Sequence, residues 1–115
     1  MSERPDAKPI PAIELAPLGD LDAERDWLRV CLHTWLDDEY LPEAVNAEIA
    51  ERATSIYIRQ RLEGENDLGS LVVAIVTEMQ SFDFSKSFYG EFAIANAVSD
   101  LLTQRLGLDK CCGGS

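Results

Sequence analysis

Hydrophobic residues recur with α-helical spacing in four successive segments of the chain. This spacing predicts helices from about Asp20 to Tyr40, from Pro42 to Leu62, from Leu68 to about Phe82, and from Ser85 to about Leu106. Apolar side chains three and four positions apart share one side of a helix, so each segment has a face to bury. Four such helices joined by short loops predict an all-α fold, a compact bundle of about four helices.

The apolar stripes of these segments define the predicted core. They consist of Trp27, Leu28, Cys31, Leu32, Trp35 and Leu36; Val45, Ile49, Ala53, Ile56 or Tyr57, and Leu62; Leu68, Leu71, Val72, Ile75, Val76 and Met79; and Phe88, Phe92, Ala95, Val98 or Ser99, Leu102 and Leu106. Val73 and Ala74 add apolar area to the third segment, which is therefore predicted to be the most buried. Its valines and Ile75 also suit a β-strand over residues 71–76, so that alternative stays open.

Residues that favour the start or the end of a helix stand at the junctions between these segments. Candidate N-caps are Asp20 or Asp22, Asp67, and Ser85 or Asp83, and the residues suited to end a helix are Pro42, Gly64 and Gly107. Their positions agree with the boundaries that the hydrophobic spacing predicts.

The chain is predicted to have three parts. Residues 1–19 hold four of the five prolines, which favours an extended or mobile arm. Residues 20–107 form the helical domain, and residues 108–115 form a flexible tail rich in cysteine and glycine. Four aliphatic side chains allow part of the arm to lie against the body: Ile10, Ile13, Leu15 and Leu18.

Acidic residues outnumber basic ones. The 21 Asp and Glu stand against 10 Lys and Arg, for a net charge of −11. This charge argues against nucleic-acid binding through phosphate groups and against adsorption to anionic membranes. It favours a protein partner with a basic patch, although acidity also serves solubility alone or suits a saline interior.

Three further features of the sequence indicate the cellular location of the protein. No apolar run is long enough for a membrane span, and residues 1–6 lack the basic-then-apolar pattern of a secretory signal. The three cysteines are an odd number, which argues against a disulfide framework. We therefore expect a cytoplasmic protein.

Five of the nine aromatic residues lie within residues 82–92, between the third and fourth segments. Such a cluster is either a plug that closes the end of the core or an exposed docking surface. In the second case Phe84 and Tyr89 are the candidate contacts, because they lie off the stripe of the fourth helix. Asp83 and Glu91 would then form an acidic rim that selects a basic partner.

Catalytic chemistry has weak support. His33 is the one histidine, and Asp37 lies one helical turn later. An acid–base enzyme would combine this pair with a carboxylate from Asp38 or Glu39. No serine or cysteine nucleophile shares that helix face, so a surface ion pair is the favoured interpretation. Zinc spacing, a calcium loop and a glycine-rich phosphate loop are missing from the sequence, and we predict no catalytic, cofactor-binding or metal-binding residue.

Cys111 and Cys112 are adjacent in the tail and are candidate redox residues. The neighbouring Lys110 favours the reactive thiolate form. A bond between adjacent cysteines is strained, so a bond to another chain or to Cys31 is easier. Cys31 itself is predicted to be a small core residue.

Residues 35–42, 63–69, 82–85 and 88–92 resemble a group of small uncharacterised proteins of cyanobacteria, over about residues 27–112. The resemblance implies a prokaryotic cytosol, near photosynthetic or carbon-fixing machinery, and carries no activity. We predict a non-enzymatic protein–protein interaction module: an adaptor, assembly factor or regulator. The alternative is a thiol-responsive regulatory protein. A homodimer formed by helix exchange also stays open.

Overall fold

The structure is a computed structural model that describes residues 13–39 and 41–106. Its helices are α1 (Leu21–Glu39), α2 (Ala44–Leu62), α3 (Leu68–Met79) and α4 (Glu91–Leu106). They form a compact bundle, which confirms the predicted all-α class. The strand alternative for residues 71–76 is wrong, because this segment belongs to α3.

The core lies between one face of each helix. Its fully buried members include Leu28, Leu32 and Leu36 of α1; Ile49, Ala53 and Tyr57 of α2; Leu71, Ile75 and Met79 of α3; and Ile94 and Val98 of α4. Consecutive helices pack against each other and α1 also packs against α4, so one chain encloses this core. The prediction that α3 is the most buried helix is wrong: Val73 is 64% exposed, and α2 buries more positions.

Several predicted caps are confirmed. The Oδ1 atom of Asp20 accepts a hydrogen bond from the backbone N–H of Ala23 at 3.1 Å, and Oδ2 of Asp67 accepts one from Ser70 at 2.9 Å. Gly64 follows α2 with φ +100°, a left-handed conformation that favours glycine and ends the helix. These short-range signals fixed where α1 and α3 begin and where α2 ends.

The connection between α3 and α4 is longer than predicted. Helix α3 ends at Met79 instead of Phe82, and α4 begins at Glu91 instead of after Ser85. The side chain of Asp83 accepts a hydrogen bond from the backbone N–H of Ser85 at 3.0 Å, and Ser87 Oγ accepts one from Tyr89 at 2.9 Å. Such local bonds stabilise turns and compete with helix formation.

The buried face of α4 differs from the predicted stripe at its two ends. Ile94 and Val98 are fully buried, whereas Phe92 and Leu106 of the predicted stripe are 65% and 50% exposed. Leu62 at the end of α2 is exposed as well. Helix ends were therefore the places where the predicted stripes were wrong.

The described part of the arm is extended and lies against the connection between α2 and α3. The backbone N–H of Leu15 donates to the Asn66 carbonyl, and Leu68 N–H donates to the Ile13 carbonyl, both at 2.8 Å. The Leu15 side chain is buried. Within the described ranges, no helix is long and apolar enough to cross a membrane. The tail predicted for residues 108–115 lies outside the described residues.

Candidate functional site

The structure divides the aromatic residues of the α3–α4 connection into buried and exposed rings. Tyr89 is only 7% exposed, and its hydroxyl donates a hydrogen bond to the Leu36 carbonyl at 2.9 Å. Phe82 and Phe84 are half-buried and pack on each other with ring centroids 4.9 Å apart. The prediction of Tyr89 as an exposed contact is therefore wrong, because its ring and its hydroxyl close one end of the core.

Phe88 and Phe92 are the exposed rings of this region, at 63% and 65%. Phe88 lies edge-on to Tyr89, with centroids 5.4 Å apart. We call the surface formed by Phe88, Tyr89 and Phe92 the aromatic corner. Sequence reasoning missed Phe88 and Phe92 because their four-residue spacing was read as a buried helical stripe. The turn-forming Asp83 and Ser87 were the local signal that Phe88 precedes the helix.

Negative charges act on Tyr89, the buried member of the aromatic corner. Burial raises the pKa of Tyr89, and the charges of Glu39, Glu43 and Asp37 raise it further. These carboxylates lie where α1 ends and α2 begins. Tyr89 thus packs against the exposed Phe88 ring and also lies within the influence of these negative charges.

The predicted rim residues lie on either side of the aromatic corner in sequence. Asp83 is exposed, and the hydrogen bond from the Ser85 backbone N–H lowers the pKa of its carboxyl. Glu91 is half-buried as the first residue of α4. Asp83 also borders an open groove of about 700 Å³ whose other walls include Glu43 and Phe82.

The His33–Asp37 pair predicted as the enzymatic alternative does form. The Nε2 atom of His33 lies 3.5 Å from Oδ2 of Asp37, and Oδ1 of Asp37 accepts a hydrogen bond from the buried Asn46 amide at 2.8 Å. Asp38 and Glu39 are both exposed. Both Asp37 oxygens thus have structural contacts, one within α1 and one that joins α1 to α2. No metal-ligating cluster of three or more residues occurs in the described part of the chain.

A second polar site, which sequence reasoning missed, lies beneath the arm. Arg61 is only 7% exposed, and its guanidinium donates to Tyr57 Oη at 2.7 Å, to Asn66 Oδ1 at 3.0 Å and to the Ala16 carbonyl. Tyr57 Oη in turn donates to Glu24 Oε2 at 2.6 Å. The network joins α1, α2 and the arm. Tyr57 and Arg61 lie one helical turn apart, but Glu24 and Ala16 come from segments too distant for any sequence pattern to reveal.

Arg105 of α4 completes this network from the other side. Its Nη1 lies 2.9 Å from Glu24 Oε1, and its guanidinium lies 3.9 Å above the Trp27 ring. The arm, α1, α2 and α4 enclose a pocket of about 330 Å³ here, which we call the arm pocket. Its lining residues are Leu15, Ala16, Pro17, Leu18, Gly19, Asp20, Ala23, Glu24, Tyr57, Arg61, Leu102, Arg105 and Leu106.

Tyr57 gives the arm pocket a testable pH dependence. Burial raises its pKa above the ordinary value of 10.0, and the hydrogen bond to Glu24 raises it further. Below the ordinary value both folded and unfolded states keep the proton, so this contribution to stability is fully present. Above it the unfolded state loses the proton first, so the free energy of unfolding should fall as the pH rises.

The measurement is a series of urea unfolding curves from pH 8 to pH 11 for the native chain and for Tyr57→Phe. We expect a smaller fall above pH 10 in the variant, because it has no hydroxyl to ionise. If the free energy of unfolding falls with pH equally in both chains, Tyr57 does not contribute to the loss of stability at alkaline pH.

Cys31 is buried on α1 and is disulfide-bonded. Its position agrees with the prediction of a core residue. Cys111 and Cys112 lie outside the described residues, and their redox role stays a prediction.

Comparison with known proteins provides one match. No curated protein and no solved structure matches the chain. A family model described as a domain of unknown function does match, over residues 9–106, which include the arm from Pro9 onward and all four helices. The match gives no organism, so the likeness to cyanobacterial proteins stays a prediction. The chain belongs to the family described as Domain of unknown function (DUF8822).

Proposed function

We propose that this protein is a non-enzymatic interaction module, an adaptor, assembly factor or regulator, that binds another protein through its aromatic corner. The observation that carries the proposal is the exposure of Phe88 and Phe92, at 63% and 65%, on either side of the buried Tyr89 in the sequence. Two exposed aromatic rings four residues apart in the chain offer a protein contact site, since phenylalanine contributes a large apolar area when covered.

The rigidity of the aromatic corner supports the proposal. Tyr89 is held by the Leu36 carbonyl through its hydroxyl and by Ser87 Oγ through its backbone N–H. Its ring also packs on Trp35, with centroids 5.8 Å apart. A segment fixed before binding loses little conformational entropy when a partner covers it, so more of the contact energy appears as affinity.

The negative charge of the chain indicates the chemistry of the partner. The charges of Asp37, Glu39 and Glu43 raise the pKa of Tyr89, and the whole chain carries −11. We therefore propose a partner segment that combines apolar side chains with lysine or arginine, in the cytoplasm, and not a nucleic acid. A second copy of this chain is the less suitable occupant, because its own carboxylates would repel these.

A photo-crosslinking phenylalanine analogue tests the proposal when placed at position 92 and, as a control, at position 73. Val73 is exposed to the same degree on α3, which makes it a matched apolar site outside the aromatic corner. From native cell extract we expect position 92 to capture one protein through a segment rich in lysine and arginine. Capture should fall as salt concentration rises, because salt screens the attraction between opposite charges.

Variants then test which residues contribute. With the captured partner purified, Phe88→Ala should weaken binding by about tenfold or more, while Val73→Ala should leave it unchanged. Equal capture from positions 73 and 92, or crosslinks only between copies of this chain, would contradict the proposal. So would binding that does not depend on salt.

A thiol-responsive regulatory role is the second candidate, favoured by the disulfide-bonded state of Cys31. We expect a reducing agent such as tris(2-carboxyethyl)phosphine to lower the melting temperature or change the oligomeric state, because reduction removes a covalent constraint. The Cys111→Ser and Cys112→Ser variants identify whether a tail cysteine is involved. A native chain with the same melting temperature and mass under both conditions would remove this candidate.

A further inference from the structure

We propose that the arm pocket binds a small carboxylate with a short aliphatic chain, independently of any partner at the aromatic corner. The central observation is Arg61. Its guanidinium is buried, yet its hydrogen-bond acceptors are a tyrosine hydroxyl, an asparagine amide oxygen and a backbone carbonyl, all of them neutral. Across residues 13–39 and 41–106, no carboxylate forms an ion pair with Arg61.

A buried cation without a neighbouring anion is unusual, because burial penalises an unpaired charge. The carboxylate nearest to Arg61 in the network is Glu24, but the Tyr57 hydroxyl lies between them and accepts the Arg61 hydrogen bond. Glu24 is also paired with Arg105. Glu24 therefore cancels only one of the two arginine charges, which leaves an unpaired positive charge at Arg61 inside a pocket of a strongly acidic protein.

The remaining charged group of the lining does not cancel this excess at Arg61. Asp20 is exposed, and its carboxylate already accepts the hydrogen bond that caps α1. A guanidinium has more N–H groups than the three acceptors of Arg61 occupy, so donors remain for a ligand. A carboxylate matches the planar donor geometry of arginine and brings one negative charge. A phosphate would bring more negative charge close to Glu24.

The walls of the arm pocket define the rest of the ligand. Leu18 of the arm and Leu102 and Leu106 of α4 form an apolar surface along one side. The volume of about 330 Å³ lies at the small end of the range for ligand-binding pockets. A short aliphatic chain can bury its apolar area against these leucines while its carboxylate meets Arg61, so we choose hexanoate as the probe.

Isothermal titration calorimetry of the full chain with sodium hexanoate tests the proposal. Hexanamide has the same shape without the charge, and acetate has the charge without the chain. We expect hexanoate to bind about tenfold more tightly than either, since charge-assisted hydrogen bonds and apolar burial both contribute. No saturable binding of hexanoate, or equal binding of hexanamide, would overturn the proposal.

Two substitutions on α1 locate the site without disturbing the Arg61 network. Ala23 is exposed at the edge of the arm pocket, so Ala23→Phe should fill the pocket and abolish hexanoate binding. Val30 is exposed on the same helix outside the pocket lining, so Val30→Phe should bind hexanoate like the native chain. Both variants should keep the native melting temperature. Unchanged hexanoate binding by a folded Ala23→Phe variant would place the ligand elsewhere and overturn the proposal.

Discussion

Replacing Arg61 with leucine should lower the free energy of unfolding by about 3 kcal/mol, because it removes three hydrogen bonds at roughly 1 kcal/mol each. The substitution leaves the Asn66 amide oxygen and the Ala16 carbonyl without their hydrogen bonds, in a part-buried region where water replaces those bonds poorly. It also removes the hydrogen bond between α2 and the Ala16 carbonyl of the arm, which the two backbone bonds of Ile13 and Leu15 continue to hold against the bundle. Chemical denaturation with guanidinium chloride measures the change.

Arg59 provides the matched control on the same helix. Its side chain is 44% exposed and pairs with Glu78 at the surface. Surface ion pairs contribute little, so Arg59→Leu should change the free energy of unfolding by no more than about 1 kcal/mol. Equal losses in the two variants would mean that burial of Arg61 has no special importance for stability.

The second large effect is expected at Tyr89. Truncation to alanine removes a buried ring that packs on Trp35 and the hydrogen bond to the Leu36 carbonyl. The cost should be about 3 kcal/mol, at the lower limit for buried aromatic residues because the ring lies close to the surface. Tyr89→Phe keeps the ring and should cost only about 1 kcal/mol.

Phe92→Ala is the contrasting substitution in the same surface. Because its ring is mostly exposed, its loss should change stability by about 0.5 kcal/mol or less. Thermal and chemical unfolding of Tyr89→Ala and Phe92→Ala therefore separate the residue that closes the core from the residue proposed to meet a partner. A large loss of stability in Phe92→Ala would remove Phe92 from the proposed contact surface.

Much of the bundle was predictable from short-range patterns. Leu28, Leu32 and Leu36 repeat every four residues, and all three are fully buried in α1. Asp67 caps α3 through a residue three positions away, and Gly64 ends α2 through its own backbone conformation. The sequence therefore predicted both of these helix boundaries. Such a pattern can be recognised without knowing which segments pack against the helix.

The candidate site was less predictable for a specific reason. The aromatic cluster was recognised, but the roles within it were exchanged: Tyr89 is buried, whereas Phe88 and Phe92 are exposed. The helical spacing of Phe88 and Phe92 predicted a helix from Ser85, whereas the structure begins α4 at Glu91. A few side-chain hydrogen bonds keep the segment that precedes Glu91 out of the helix. Their strength relative to helix formation depends on the packing around them.

The sequence by itself determined that four segments are helical and which faces of α1 and α3 turn inward, because periodicity and capping act between neighbouring residues. Only the tertiary structure decided that Arg61 is buried and that Phe88 is exposed. Arg61 is covered by an arm that is distant in sequence, and Phe88 is exposed because Tyr89 occupies the space against α1. Burial depends on which distant segments meet, and no local pattern records that.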